Sequence, residues 1–235
     1  MRIKEALNNI VFTMSLWFCL YLGAMEKILV AGATGTTGNI VVNLLQESQY
    51  FEPIAMIRKE EQREQFESKN IKTVMADLEK DVAHAVEGMD KVIFAAGSGG
   101  KKVVEVDQEG AKKLIDASQK HNIKKFVMLS SRGADAPSNA EELQDYLWAK
   151  HNADEHLKKS NLNYAIVRPG TLNNNDATDH IVLTDKLEKK GEIPRADVAQ
   201  VLSRVLHDDV ANHSTFEILE GDTLIGKALE QKSES

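Results

Sequence analysis

The sequence predicts an α/β protein built on a doubly wound parallel sheet, and three observations carry that prediction. Six short apolar runs, rich in Val, Ile and Phe, alternate with longer helical patterns. Their interiors hold few charges, the composition of strands buried on both faces rather than of a half-solvated sheet. The first run leads into a glycine-rich turn and then a helical pattern, the junction at which open α/β sheets bind phosphates. Alternation of this kind implies parallel strands joined by right-handed crossovers.

Taken in order, the strands fall at residues 27–31, 52–57, 71–75, 91–95, 125–129 and 163–167. Helices are expected at 38–47, 60–67, 79–87, 103–121 and 141–159. In the last of these, Leu143, Leu147 and His151 share a face, with Leu157 nearby, so the segment reads as amphipathic. Beyond Pro169 the regularity loosens. A polar loop over 171–179 leads to a helix near 196–207, a final strand at 215–219 and a short terminal helix. No internal repeat or low-complexity linker interrupts this order. The whole reads as one nucleotide-binding domain over 25–235, with a small C-terminal portion covering the ligand crevice.

Residues 1–24 do not fit the pattern. Arg2 and Lys4 precede an apolar run from Ile10 to Met25 that contains Cys19, the only cysteine of the chain. Its length is short of the roughly 20 apolar residues of a membrane span. It resembles the start of a signal peptide, a membrane-associating appendage, or upstream codons added before a true start at Met25. The third is preferred, because strand and phosphate loop follow Met25 at once. A chain beginning at Met25 is then expected to keep its ligand binding.

Composition limits the function further. The 235 residues carry 29 Lys+Arg against 36 Asp+Glu, a net charge of −7. An acidic chain whose basic pairs are scattered among acids argues against nucleic acid as a partner. One cysteine permits neither an intrachain disulfide nor a cysteine metal site. His151 and His156 lie five apart, which does not align them on one helix face, so no metal site is expected.

The glycine turn reads Gly32-Ala33-Thr34-Gly35-Thr36-Thr37-Gly38. Gly32 permits the turn out of the strand, Gly35 lets the backbone approach a pyrophosphate, and Gly38 lets the helix pack on the sheet. Free N–H groups and the positive dipole at the helix start attract the phosphates. No Lys follows Gly35 or Gly38, which argues against a nucleoside-triphosphate loop. The dinucleotide is chosen at the end of the second strand, where an NAD site carries a carboxylate for the ribose 2′-OH. Here Arg58-Lys59 stands instead, and a guanidinium suits the 2′-phosphate of NADP. NADP is therefore expected over NAD. Asp77 and Leu78 follow the third strand and border the adenine. Ala95, Ala96 and Gly97 follow the fourth and allow close approach of backbone to cofactor.

Ser130 and Ser131 end the fifth strand, and Tyr146 and Lys150 share one face of the next helix. The spacing alone is weak. Its position, one helix after serines at the carboxyl end of a sheet strand, gives it weight. A carbonyl that receives a hydride also needs a proton, and a tyrosine supplies it only where a neighbouring cation stabilises the phenolate. Lys150 would be that cation and would hold the ribose hydroxyls, while Ser130 or Ser131 orients the carbonyl.

At this point the chain resembles a known family, the atypical short-chain dehydrogenase/reductases of the NAD(P)-binding, NmrA-like branch. GATGTTG, Arg58, FVMLSSRGAD at 126–135, YLWAK, SNLNYAIVRPGTL at 160–172 and IPRADVA at 193–199 carry the resemblance, in matching order and spacing. It implies a Rossmann fold. It also implies that Arg168, Pro169 and Gly170 line the nicotinamide side and that Thr171 and Leu172 begin the substrate loop. Asp197 resembles a structural helix-start residue. The branch includes flavin and quinone reductases, isomerase-like proteins and dinucleotide-binding redox sensors without turnover. The short C-terminal portion, and gaps of 16 and 15 residues from Ser130 and Ser131 to Tyr146, depart from ordinary dehydrogenases and leave the choice of serine open.

The expected function is an NADP-dependent oxidoreductase passing hydride to a small carbonyl, quinone or flavin-like acceptor. The alternatives are a non-catalytic NAD(P)H sensor or a sugar-epimerase-like isomerase. The expected setting is cytoplasmic, as a monomer or homodimer, with a small-molecule substrate and no membrane contact for the mature domain.

Overall fold

A computed structural model describes residues 25–234. The expectations placed on residues 1–24, Cys19 among them, lie outside the described residues. The chain order is β1 (Glu26–Ala31), α1 (Thr36–Gln46), β2 (Phe51–Ile57), α2 (Arg63–Glu67), β3 (Lys72–Met75), β4 (Lys91–Phe94), α3 (Glu109–Lys120), β5 (Lys125–Leu129), α4 (Gln144–Lys158) and β6 (Tyr164–Pro169). It continues through β7 (Thr171–Asn173), β8 (His180–Thr184), β9 (Glu192–Pro194), α5 (Arg195–Arg204), β10 (Ser214–Glu220), β11 (Thr223–Leu224) and α6 (Ile225–Ser233).

Nine strands form one sheet in the order β11-β8-β10-β6-β5-β4-β1-β2-β3. From β10 to β3 every pairing is parallel, and only β8 and β11 run antiparallel to their neighbours. The expected parallel, doubly wound sheet is present, with antiparallel strands added at one edge. Alternate residues of β1 explain why helices cover both faces. Ile28 and Val30 enter one core with Val41, Val42 and Leu45 of α1 and Val198 and Leu202 of α5. Leu29 and Ala31 enter the other, with Leu114 and Ile115 of α3 and Leu157 of α4. The chain reverses direction across the sheet between β1 and β4. Ala95 N–H donates to the Ala31 carbonyl at 2.8 Å there, bringing the turns after both strands together.

One glycine contact is unforgiving. A Cβ on Gly38 would stand 2.1 Å from the Gly32 carbonyl oxygen, a backbone atom with little freedom to yield. Gly38→Ala is expected to destabilise the chain by about 1–3 kcal/mol through overpacking. Urea denaturation measures it, and an unchanged midpoint would contradict the packing role.

Several expected elements differ. The helix expected over 79–87 is only a 3-10 turn at Ala83–Val86. Asp77 and Asp81 each accept a backbone N–H two residues on, a local bond that competes with helical pairing. The segment expected over 103–121 opens with a π-helical stretch, Val103–Gln108, before α3. Leu143 is left-handed at φ 57° and exposed, so it precedes α4 and is not part of its apolar face. The polar loop over 171–179 contains β7, which pairs in parallel with β9 as a separate two-stranded sheet. Strands of two to five residues carry too few side chains for a period to be read from sequence.

At the opposite end of the sheet, two lysines enter the interior side by side. Lys91 donates to the Leu206 carbonyl and pairs with Glu26 and Asp208. Lys125 is fully buried, yet among the described residues its amine bonds only the carbonyls of His207 and Val210 and the Asn212 amide oxygen. Burial, reinforced by repulsion from Lys91, pushes its amine down to about 8 from the usual 10.5. Between those values the unfolded chain binds the proton that the native chain has released. This site therefore adds stability as pH rises through that window and loses it as pH falls through 8. Lys125→Met is expected to flatten the rise in stability from pH 7.5 to 10 by roughly 1–3 kcal/mol. Urea titrations of both proteins at several pH values check this, and parallel pH curves would contradict it.

Candidate active site

The carboxyl ends of β1, β2, β4 and β5 open into one cleft of about 900 Å³. One wall is the glycine turn. Gly32 adopts φ +92°, and a Cβ there would lie 2.5 Å from the Ala96 nitrogen, so only glycine fits between the two strand-end turns. Gly35 N–H closes the turn on the Gly32 carbonyl at 2.9 Å, and Gly35 precedes α1 without any side-chain cap. No acidic residue occupies the first turn of α1. The helix start thus offers uncapped N–H groups to the cleft, a setting that suits a pyrophosphate.

Gly32, Thr34, Gly35, Thr36 and Thr37 line the cleft, as do Arg58, Asp77, Leu78, Ala95, Ala96 and Gly97. Gly38 does not line it; its role is the close packing described above. Arg58 is exposed at the cleft edge after β2, and among the described residues no carboxylate pairs with it. Its backbone N–H donates to the Gln62 side chain at 2.9 Å, which fixes the turn that carries it. Asp107 is buried and accepts the Ser98 N–H at 2.9 Å, holding the turn after β4 open beside the glycines.

On the other wall, α4 aligns Tyr146, Lys150 and Asp154 at intervals of four residues. Lys150 Nζ lies 5.7 Å from the centre of the Tyr146 ring and donates to the Leu129 carbonyl at 3.1 Å. Ser130 Oγ donates to Asp154 Oδ2 at 2.8 Å, and Arg168 reaches the same oxygen from Nε at 2.9 Å and Nη2 at 2.8 Å. Burial pushes the Asp154 carboxyl upward, against the opposing pull of Arg168, Ser130 and Lys150. Ser130 therefore spends its proton below the cleft floor, while Tyr146, half-buried, faces the cleft.

Tyr146, Lys150 and Ser130 line the cleft together; Ser131 does not, and its hydroxyl turns to the Arg132 carbonyl. Pro169 and Gly170, expected beside the nicotinamide, also lie outside the lining. Gly170 packs where a Cβ would be 2.2 Å from Leu219, and Arg168 is committed to Asp154. Leu172 does line the cleft. Asp197 is buried and accepts the N–H groups of Thr178 and Asp179, tying the loop before β8 to α5 rather than capping the helix. Sequence reasoning passed over Gln62, Leu143 and Arg195, which also line the cleft. Only Arg195 carried a signal, a guanidinium at the start of a helix after an expected substrate loop.

The family model described as NAD(P)H-binding matches residues 32–209. A Bacillus subtilis (strain 168) relative named as an uncharacterized sugar epimerase, YhfK, is 38% identical over 213 residues, covering 87% of this chain and 99% of its own. Two solved structures superpose with a TM-score of 0.82. One, from Bacillus halodurans, carries the provisional description of an NAD-dependent epimerase/dehydratase, with 37% identity over 88% of this chain and 99% of that one. The other, described as the oxidoreductase ylbE of Lactococcus lactis, has 34% identity over 89% and 98%. With the glycine turn, the parallel sheet and the match over most of its length, the chain belongs to the NAD(P)H-binding family and carries its Rossmann-type fold.

Proposed function

We propose that the protein is an NADP-dependent reductase that passes hydride to a small carbonyl, quinone or flavin-like acceptor. The observation that carries this reading is the placement of Tyr146 over Lys150 in the same cleft as the uncapped glycine turn. The residues fit the cofactor: glycine backbone and helix start for the pyrophosphate, Arg58 for the 2′-phosphate, Asp77 and Leu78 at the adenine. When bound, the reduced nicotinamide supplies the hydride. Tyr146 then gives its hydroxyl proton to the acceptor oxygen, and the Lys150 ammonium stabilises the phenolate left behind. Ser130 can turn its hydrogen toward an acceptor only by releasing Asp154, so its part is to hold the floor of the site. Such a reductase works in the cytoplasm, with a small molecule as its partner.

For the cofactor, Arg58→Ala is expected to weaken NADPH by about ten- to hundredfold, the loss of a charge-assisted phosphate contact, and NADH far less. Equilibrium titration of both nucleotides decides it; equal losses would contradict the assignment. A second reading, favoured by the epimerase name of the Bacillus subtilis relative, keeps the same tyrosine but returns the hydride to its substrate. Assay of NADPH oxidation against quinones, flavins and aldehydes tests the reductase. Acceptor-dependent oxidation is expected, and its absence across the panel would count against hydride export.

A further inference from the structure

We infer that Arg195 forms an anion subsite at the acceptor end of the cleft, and that the acceptor carries an anionic oxygen group on an apolar body. This rests on the reading of the cleft as a dinucleotide-and-acceptor site and names the acceptor's chemistry.

The argument begins with charge. The protein is acidic overall, yet the cleft is lined by Arg58, Lys101, Lys102, Lys150 and Arg195 against only Asp77 and Asp107. Lys102 is neutralised by Glu79 at 2.7 Å, and Lys150 stands beneath Tyr146. Among the described residues, Arg63, Arg132 and Arg168 have carboxylate partners, whereas Arg58, Arg195 and the exposed Arg204 have none, and of these three only Arg58 and Arg195 line the cleft. A guanidinium that lines a cleft and has no carboxylate there is free to take an incoming anion.

The fold separates the two. Arg58 follows β2, on the adenosine side of the switch between β1 and β4. Arg195 begins α5 directly after β9, and β9 pairs with β7, the strand that follows β6 on the opposite side. One arginine nitrogen, Nη1, is fixed by the Leu172 carbonyl at 3.2 Å and the Asn174 side chain at 2.8 Å. That anchoring sets the plane of the guanidinium and leaves Nε and Nη2 to form a bidentate pair with an oxyanion. Leu172, whose carbonyl anchors Arg195, lines the cleft, as do Leu143 and Tyr146 at the start of α4. Apolar walls, one proton donor and one oriented cation together select a hydrophobic acceptor with an anionic tail.

The test measures binding to the NADP⁺-loaded protein with two matched probe pairs, riboflavin against FMN and 1,4-naphthoquinone against its 2-sulfonate. Each pair differs in one anionic group. The expected result is tighter binding of the anionic member by about ten- to hundredfold, collapsing toward parity in R195Q and partly restored in R195K. R195K guards against the loop before β8 having shifted, because it returns charge without the fork. Equal binding within both pairs, failure of either anionic probe to bind, or a preference that survives in R195Q would overturn the inference. So would a loss of NADP⁺ affinity in R195Q matching its loss for FMN, which would assign the arginine to the dinucleotide. Turnover is scored separately: bound anionic probes that are never reduced would sink the reductase and leave the subsite standing.

Discussion

Replacing Tyr146 by Phe is expected to lower the kcat of acceptor reduction by about 10²- to 10⁴-fold, the range for removal of a positioned proton donor. The ring stays, so the apolar contact with the cleft and the Lys150 ammonium under it are preserved. What leaves is the one hydroxyl in the trio that is not already spent. Ser130 donates to Asp154, and Lys150 donates to the Leu129 carbonyl. Ser130→Ala is accordingly expected to cost less than Tyr146→Phe. NADPH affinity measured beside kcat separates the proton role from a packing role, since loss of a donor slows turnover without weakening the nucleotide. Unchanged turnover in Tyr146→Phe would remove the tyrosine from the chemistry.

The second large effect is on stability. Asp154 is fully buried, and a single oxygen of it receives Ser130 and both Nε and Nη2 of Arg168. Its other oxygen, Oδ1, has no hydrogen-bond partner among the described residues. Asp154→Ala removes the one carboxylate that, among the described residues, bonds the buried Arg168 guanidinium. Breaking a buried pair from one side costs about 3–5 kcal/mol, far more than the net worth of the pair itself. Urea denaturation is expected to show a loss of that size, with Asp154→Asn falling between the two because it keeps the shape and one acceptor. A loss below about 1 kcal/mol would mean that water reaches Arg168 and that the floor of the site is not dry. Asp154→Ala also frees the Ser130 hydroxyl, so the residual activity of that variant, set beside Asp154→Asn, reports whether the serine is held for geometry alone.

Much of the fold was legible because its signals are local. Strands such as Lys125–Leu129 are buried on both faces and so are apolar throughout, and the glycine turn must be glycine where φ is +92° and backbones nearly touch. Tyr146 and Lys150 were legible for a related reason: one helix face fixes their spacing before any tertiary contact exists. The rest depends on partners distant in sequence. Ser130 and Ser131 are alike until Asp154, 24 residues from Ser130, takes the hydroxyl of one of them. Arg168 read as a cofactor-side residue until the same carboxylate claimed it. Arg195 stood out little, because an arginine without a counter-ion is recognised only when every nearby carboxylate has been placed. The strand expected at 215–219 is present as β10, but β7, β8, β9 and β11 escaped for lack of length, and β7 and β9 exist by pairing with each other rather than by any pattern of their own.

Net hydride transfer is the claim on which the reductase reading and the proton role given to Tyr146 depend, and its stoichiometry is measurable in one experiment. Wild-type protein is mixed with a known amount of NADPH and an excess of acceptor, and the NADPH consumed is compared with the reduced acceptor formed. The account predicts one NADPH oxidised per acceptor reduced, over many turnovers. Tight NADPH binding with no acceptor-dependent consumption would contradict it and identify a protein that holds the dinucleotide as a signal or returns each hydride to the molecule it came from.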